Sequence, residues 1–285
     1  MKRVLALSAG LLLLSTAAHA TVSVTQDNNA SSLAGTLLGT GITINSSTVT
    51  GAPSAFGTFT NGSTVGGGFF DQGIILSSGD VLDAPGPNTA DNTTTNFGNP
   101  GDGDLSTLAG GTTNDAAILE LEFESTGGDL FFNYIFASEE YNEFTNSSFN
   151  DVFGFFLDGV NIALIPGTTD PVSINNVNGG NPLGTNASNP SLFNNNDLSD
   201  GGPFFDIEYD GFTNVFTASA TGLSAGSHTL KLAIADTSDS ILDSAVFIQA
   251  GTLSDEPTPV PLPGTLALFL GALASLGVAY RRFAK

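Results

Sequence analysis

Cysteine and tryptophan are absent from the 285 residues, and basic side chains are nearly so. Without cysteine there is no disulfide and no thiolate. Lysine and arginine number six, and five of them sit at the ends: Lys2, Arg3, Arg281, Arg282 and Lys285. Lys231 alone lies between them, in the stretch that holds all 28 Asp and Glu residues. A field of that sign repels nucleic acid and anionic membrane surfaces and attracts cations. Nucleic-acid binding is thereby excluded. Charged residues make up only 12%, so Asn, Ser, Thr and Gly must cover much of the surface. Helix formers are few, and no segment shows a convincing 3.6-residue period. What is abundant is glycine (35), phenylalanine (22) and enough apolar residues (40%) for a packed core. This balance is that of an all-β extracellular protein.

The apolar runs are short and separated by turn residues. Ile42–Ile44, Ser54–Thr60 and Gly73–Leu76 read as strands, with Asn61-Gly62 a hairpin signal. Ala116–Glu124 alternates strictly: Ala117, Leu119, Leu121 and Phe123 on one face, Glu120, Glu122 and Glu124 on the other. That is a half-buried antiparallel strand with an acidic solvent face. Leu130–Phe136 and Val152–Leu157 are apolar on both faces and belong deeper, between two layers. Ile162–Ile165, Val172–Ile174, Phe204–Glu208, Asn214–Ala220, Thr229–Asp236 and Ala245–Leu253 complete the strands. Two long Asn, Gly and Pro-rich loops, 85–111 and 175–202, interrupt them. Loops of that length are functional or disordered, and Asp102 and Asp104 in the first offer oxygen ligands. The expected fold is an antiparallel β-sandwich of jelly-roll kind.

The two most apolar strands flank a loop rich in carboxylates and amides: Glu139, Glu140, Glu143, Asn146, Asn150 and Asp151. A fold does not need so many of them at the mouth of its most hydrophobic strands. Glu139, Glu140, Asn150 and Asp151 stand at the ends of adjacent strands; Asp236, Asp239 and Asp243 end one late strand and begin the next. If those strands pair, these side chains converge on one edge of the sandwich. Ca²⁺ takes 6–8 oxygen ligands of this kind, and a cluster with one lysine in reach repels itself without a cation. The competing reading is that Asp and Asn simply make turns and cap loops. No EF-hand loop fits, because Asp102-Gly103-Asp104 lacks the Gly and Glu that should follow.

Catalytic patterns are weaker. Gly222-Leu223-Ser224-Ala225-Gly226 matches G-x-S-x-G, but strands on both sides make it a hairpin loop rather than a nucleophile elbow. His228 shares strand parity with Leu230, Leu232 and Ile234 and reads as a partly buried strand-end residue. Glu139 and Glu140 point to opposite faces of an extended chain, which leaves Glu139 with Asp151 as the conceivable glycosidase pair. Tyr141, Phe144 and Phe149 are the loop aromatics placed for contact with a glycan. No residue is assigned a catalytic role, and the chain is read as non-enzymatic.

Both ends read as addresses. Residues 1–20 combine Lys2 and Arg3, an apolar run, and small Ala18 and Ala20 at the −3 and −1 positions of a secretory cleavage site before Thr21. An uncleaved anchor is the alternative. Residues 255–263 form a proline-rich linker, 264–280 an apolar stretch at the lower limit for a transmembrane helix, and 281–285 a basic cytoplasmic tail. Val260, Pro261, Leu262 and Pro263, with Arg281 and Arg282 beyond the apolar stretch, resemble a PEP-CTERM or VPLPA-type sorting signal. The resemblance implies an exosortase-type sorting enzyme as partner, transient residence in the inner membrane, and transfer to the cell surface or beyond. An ordinary retained membrane anchor is the competing reading.

The domain between, residues 21–254, carries a second resemblance. Phe136-Ala137-Ser138-Glu139-Glu140-Tyr141, Ser148-Phe149-Asn150-Asp151-Val152-Phe153-Gly154-Phe155, Asn161-Ile162-Ala163-Leu164-Ile165-Pro166-Gly167, Pro171-Val172-Ser173-Ile174-Asn175-Asn176-Val177-Asn178 and Asp239-Ser240-Ile241-Leu242-Asp243-Ser244 are similar to the choice-of-anchor L domain. The resemblance implies a bacterial surface domain attached through a C-terminal anchor, and no reaction. The expectation is an exported surface or extracellular-matrix protein with a Ca²⁺-stabilised structural or adhesive sandwich, in contact with exopolysaccharide or other surface proteins. A glycan-binding module and a calcium-dependent hydrolase are the alternatives.

Overall fold

Strands that are apolar on both faces need cover on both, and the computed structural model of the chain provides it in layers. The structure describes residues 21–260. The secretory segment with Ala18 and Ala20, and the C-terminal residues Pro261, Leu262, Pro263, 264–280, Arg281 and Arg282, lie outside the described residues. In chain order the elements are β1 (Ser23–Gln26), α1 (Ala30–Leu37), β2 (Ile42–Thr50), β3 (Phe56–Thr60) and β4 (Gly73–Ser77). Then follow α2 (Gly103–Ala109), β5 (Thr113–Ser125), β6 (Asp129–Ser138), β7 (Val152–Leu157) and β8 (Val160–Asn161). The last are β9 (Phe193–Asn195), β10 (Gly211–Thr213), β11 (Phe216–Thr221), β12 (His228–Thr237) and β13 (Ser244–Gln249). Among the described residues no helix is long and apolar enough to cross a membrane.

The strands form two antiparallel sheets. The larger runs β1-β3-β4-β13-β6-β10-β9, with β11 continuing alongside β6; the smaller runs β2-β5-β12-β7-β8. Between them, Phe132, Tyr134 and Phe136 of β6 meet Phe153 and Phe155 of β7. Ring centroids lie 5.0 Å apart for Phe132–Phe155, 4.9 Å for Tyr134–Phe155 and 5.0 Å for Phe136–Phe153. Each such side chain contributes about 1.5–3 kcal/mol by leaving water. The alternate residues of β6, Ile135 and Ala137, face the other way into a second core of Phe59, Phe69, Phe70, Tyr209, Phe212 and Phe247. On the outside of the small sheet, Val152 and Phe156 of β7 pack with Ala233, Ala235 and Leu105 of α2. Both doubly apolar strands are therefore covered on both faces. The acidic face of β5 is solvent-exposed, as its alternation requires: Glu120, Glu122 and Glu124 lie outside, Leu119, Leu121 and Phe123 inside.

Several expected elements differ. The two short helices are not legible by periodicity, because eight and seven residues hold only about two 3.6-residue periods, too few to stand out. Their caps are local: the Asn29 side chain accepts from Ser32 N–H at 3.0 Å, and Asp102 accepts from Asp104 and Leu105 N–H at 3.0 and 3.1 Å. Helix α2 ends at Gly110, whose φ of 70° needs a residue without a side-chain penalty. Asp102 is thus a cap, and together with Asp104 it binds Lys231 Nζ at 2.6 and 2.8 Å, so neither acts as a free ligand. Ile162–Ile165, Val172–Ile174 and Phe204–Glu208 make single bridges rather than strands. Asn61-Gly62 leads into a 3₁₀ turn (Gly62–Thr64) in a longer connection between β3 and β4, not a two-residue hairpin. The loop 222–227 links β11 in the large sheet to β12 in the small one, so it is a crossover and not a hairpin.

Candidate functional site

The acidic residues gather at one end of the sandwich, where strands of both sheets begin or end. Register places them. In the large sheet Gly211 and Ser244 both lie opposite Ser138, so Asp210 and Asp243 flank Glu139, each one step beyond its strand. Glu139 N–H donates to the Asp243 carbonyl at 3.1 Å. Ala245 opposite Ser77 puts Gly79 beside Asp243, and a Cβ there would overlap the Asp243 carboxylate. In the small sheet Ala235 pairs with Val152, which sets Asp236 opposite Asp151. Strands β6 and β7 do not pair; they face each other across the core. The predicted carboxylates converge across the sandwich rather than along one sheet.

Hydrogen bonds divide these residues into two kinds. Asp151 accepts from Thr237 N–H at 2.8 Å and from Ser244 Oγ at 2.7 Å, which ties the two sheets together. Asp243 accepts from Thr95 N–H at 2.8 Å and Thr94 Oγ1 at 3.3 Å. Asn150 Oδ1 accepts from Asn175 N–H at 2.8 Å. These three anchor neighbouring segments, as turn-making Asp and Asn do. Asp239 is half-buried and accepts from Ile241 N–H at 3.5 Å. Glu139 and Asp236 are different: each is 1% exposed, and neither carboxylate makes a well-formed hydrogen bond among the described residues, with only a poorly aligned Thr93 N–H near Glu139 and Ser78 hydroxyl near Asp236. Oε2 of Glu140, also 1% exposed, has no partner among the described residues.

Burial dominates the chemistry of the cluster. It pushes the pKa of Glu139 up to about 11; Asp210, Glu208 and Asp243 add to the effect and the Thr93 N–H opposes it. Glu140 is raised by burial and then by Asp151 and Asp239; Asp236 by burial and then by Asp151. The two consecutive glutamates therefore face different neighbours, Glu139 the Asp210 side and Glu140 the Asp151 side. Asp151 is raised by burial although its two donors oppose the shift. Asp243 is pushed up to about 7, again by burial. Burying an unpaired carboxylate costs several kcal/mol, against about 1 kcal/mol for a typical surface ion pair. Lys231, the one lysine of the described residues, is engaged elsewhere. At neutral pH these groups must either hold protons or share a cation.

Sequence reading missed five members of this end. Glu208 accepts from Thr89 N–H and from Thr93 Oγ1 at 3.1 and 2.8 Å, and Asp115 from the N–H groups of Phe97, Gly98 and Asn99 at 3.1, 3.3 and 2.5 Å. Together with Asp243 they strap the long loop after Pro85 over the acidic end. Asp197 and Asp210 are buried, and with exposed Asp91 they bring one carboxylate oxygen each to within 4.8 Å of the others. Among the described residues this is the one group of three or more carboxylates so closely spaced. A signal existed: Asp151, Asp210 and Asp243 each directly precede a strand and Glu139 directly follows one, but β10 has three residues and was not recognisable. Tyr141, expected to be placed for contact with a glycan, is fully buried and donates to the Val177 carbonyl at 2.8 Å; Phe144 and Phe149 remain half-buried, packed edge to face. Ser224 offers His228 its carbonyl, 2.9 Å from Nε2, while Nδ1 lies 2.6 Å from Asp158.

No curated protein and no solved structure matches the chain. A family model does: residues 21–254 match the Choice-of-anchor L domain. That span covers the sandwich, both apolar cores and the carboxylates at its end, and the chain belongs to the Choice-of-anchor L domain family.

Proposed function

We propose that this is an exported, surface-anchored protein whose sandwich is structural or adhesive and whose acidic end is held together by Ca²⁺. The family supports the surface location. The terminal segments support export through the inner membrane, recognition by an exosortase-type sorting enzyme, and release to the surface or matrix among exopolysaccharide and other surface proteins. The observation that carries the cation is the pair of fully buried carboxylates without a well-formed hydrogen bond, Glu139 and Asp236. Glu140, Asp151, Asp239 and Asp243 lie around them, near enough for their charges to act on one another, and among the described residues no basic side chain faces them. An all-oxygen donor set suits a hard cation, and Ca²⁺ tolerates irregular coordination better than Mg²⁺ does.

Thermal unfolding of residues 21–260, which contain every strand and core residue named above, tests this. Ca²⁺ at one hundred times its Kd should stabilise by about 2.7 kcal/mol relative to EDTA, and Mg²⁺ at the same concentration by much less. Asp236→Asn gives the sharper result. Removing a buried carboxyl that must take up a proton when no cation is present should raise Tm in EDTA while shrinking the Ca²⁺ increment. Equal Tm in EDTA and Ca²⁺ would sink the calcium reading. A fall of Tm for Asp236→Asn in EDTA would show that the carboxylate is satisfied without an ion.

A further inference from the structure

We propose that Asp91, Asp197 and Asp210 form a Ca²⁺ site of their own, which clips the long loop after Pro85 to the connection between β9 and β10. It uses none of the ligands proposed above, and it stands whether or not those hold an ion. The three residues come from separate segments: Asp91 from the loop, Asp197 two residues beyond β9, and Asp210 immediately before β10. Backbone bonds align the last two, with Asn196 N–H donating to the Asp210 carbonyl at 2.8 Å. Two oxygens bound to one Ca²⁺ at 2.3–2.6 Å can be separated by at most about 5 Å. The three carboxylates, each offering an oxygen within 4.8 Å of the others, meet that limit without moving.

Two buried acceptors point to a ligand independently of that spacing. Asp210 is fully buried; its Oδ1 accepts from Asn88 Nδ2 at 2.6 Å, and its Oδ2 has no partner among the described residues. Asn142, 3% exposed, donates through Nδ2 to Asn195 Oδ1 and Asp200 Oδ2 at 2.6 and 2.8 Å, which leaves its Oδ1 buried and unpartnered. Asn142 and Asp197 line one cavity of about 190 Å³, together with Glu143 and Ser199. Buried oxygen acceptors without donors are costly, and a cation bound at the three carboxylates satisfies Asp210 Oδ2, with the Asn142 cavity adjoining it through Asp197. Ser199 fixes Asp197 in place, its N–H and Oγ donating to the two carboxylate oxygens at 2.6 and 3.1 Å. Asp91 is exposed, so the ion has a way in from solvent.

The site predicts a stoichiometry. Protein stripped with EDTA and dialysed to equilibrium against Ca²⁺ should bind at least one equivalent. Asp91→Asn, a surface change that leaves the fold intact by circular dichroism, should weaken that equivalent at least tenfold, and Asp197→Asn should do the same. Asp236→Asn should leave it unchanged. Wild-type Ca²⁺ binding by both Asp91→Asn and Asp197→Asn would overturn the site, as would binding lost only with Asp236→Asn, an outcome that leaves the function proposed above standing. Loss with Asp91→Asn alone among the three, or equal competition by Mg²⁺, would overturn the three-carboxylate Ca²⁺ assignment.

Discussion

At the scale of single residues, His228 shows how a catalytic-looking arrangement resolves into a structural one. Its two ring nitrogens are taken by the Ser224 carbonyl and the Asp158 carboxylate, so both want protons. The Ser224 carbonyl first, and Asp158 second, raise the imidazole above its ordinary range. Burial works against Asp158, but Thr229 N–H and the imidazole hold its carboxyl below the usual value. The sign follows. A raised folded pKa stabilises fully below the unfolded value near 6.5 and is lost as pH rises through the folded one; the Asp158 contribution appears only above about 3.8. The loop is therefore best held between about pH 4 and 6.5. Comparing Tm of the wild type and His228→Gln at pH 5.5 and 8.5 should show a larger penalty at the lower pH, of about 1 kcal/mol or less for so exposed an acid. An equal penalty at both values would mean the imidazole contributes packing against Phe123, 5.9 Å away, and not charge.

Among the elements, β6 does the most, because each of its faces is a core and each of its edges is paired. Leu130, Phe132, Tyr134 and Phe136 fill the space between the sheets, Ile135 and Ala137 the phenylalanine layer outside. Its edges carry β13 on one side and β10 with β11 on the other. Phe132→Ala should cost about 3–5 kcal/mol, a fall in Tm of roughly 2–4 °C for each kcal/mol in a domain of this size. Val160→Ala in β8, 67% exposed, should stay within about 0.5 kcal/mol. Similar losses for both would mean that β6 is not the packed centre of the sandwich. Strands of this kind are what a sequence reveals. Apolar runs such as β6 and β7, and the strict alternation of β5, state their burial directly, and their bounds were legible to within a few residues. Ile162–Ile165 and Val172–Ile174 look equally apolar yet form single bridges, since Ala163, Ile165, Val172 and Ile174 bury themselves as loop segments over the core end of β7. Pattern reports burial and not pairing. The site shows the same limit. Five buried carboxylates at strand ends were readable, whereas Asp91, Asp197 and Asp210 meet only because two long loops return to one end.

At the scale of the whole molecule, charge and burial make separable demands. The 28 carboxylates face a single lysine between the terminal segments, so the folded surface repels itself. Sodium chloride shortens the screening length from about 10 Å at 0.1 M to about 3 Å at 1 M, which relieves repulsion between exposed groups such as Glu120, Glu122 and Glu124. It does little for Glu139 or Asp236, which lie where neither water nor a counterion atmosphere reaches. Two contributions to stability should therefore appear on titration in EDTA and in Ca²⁺. NaCl should raise Tm gradually in both, by the same amount in wild type and Asp236→Asn. Ca²⁺ at matched ionic strength should add a further step, which saturates at low concentration and is smaller in the variant. If NaCl at equal ionic strength reproduced the whole Ca²⁺ gain, the ion would be acting on the surface field alone. The buried carboxylates would then be protonated groups whose neutral form the fold selects by excluding water, and the acidic end would need no metal to close.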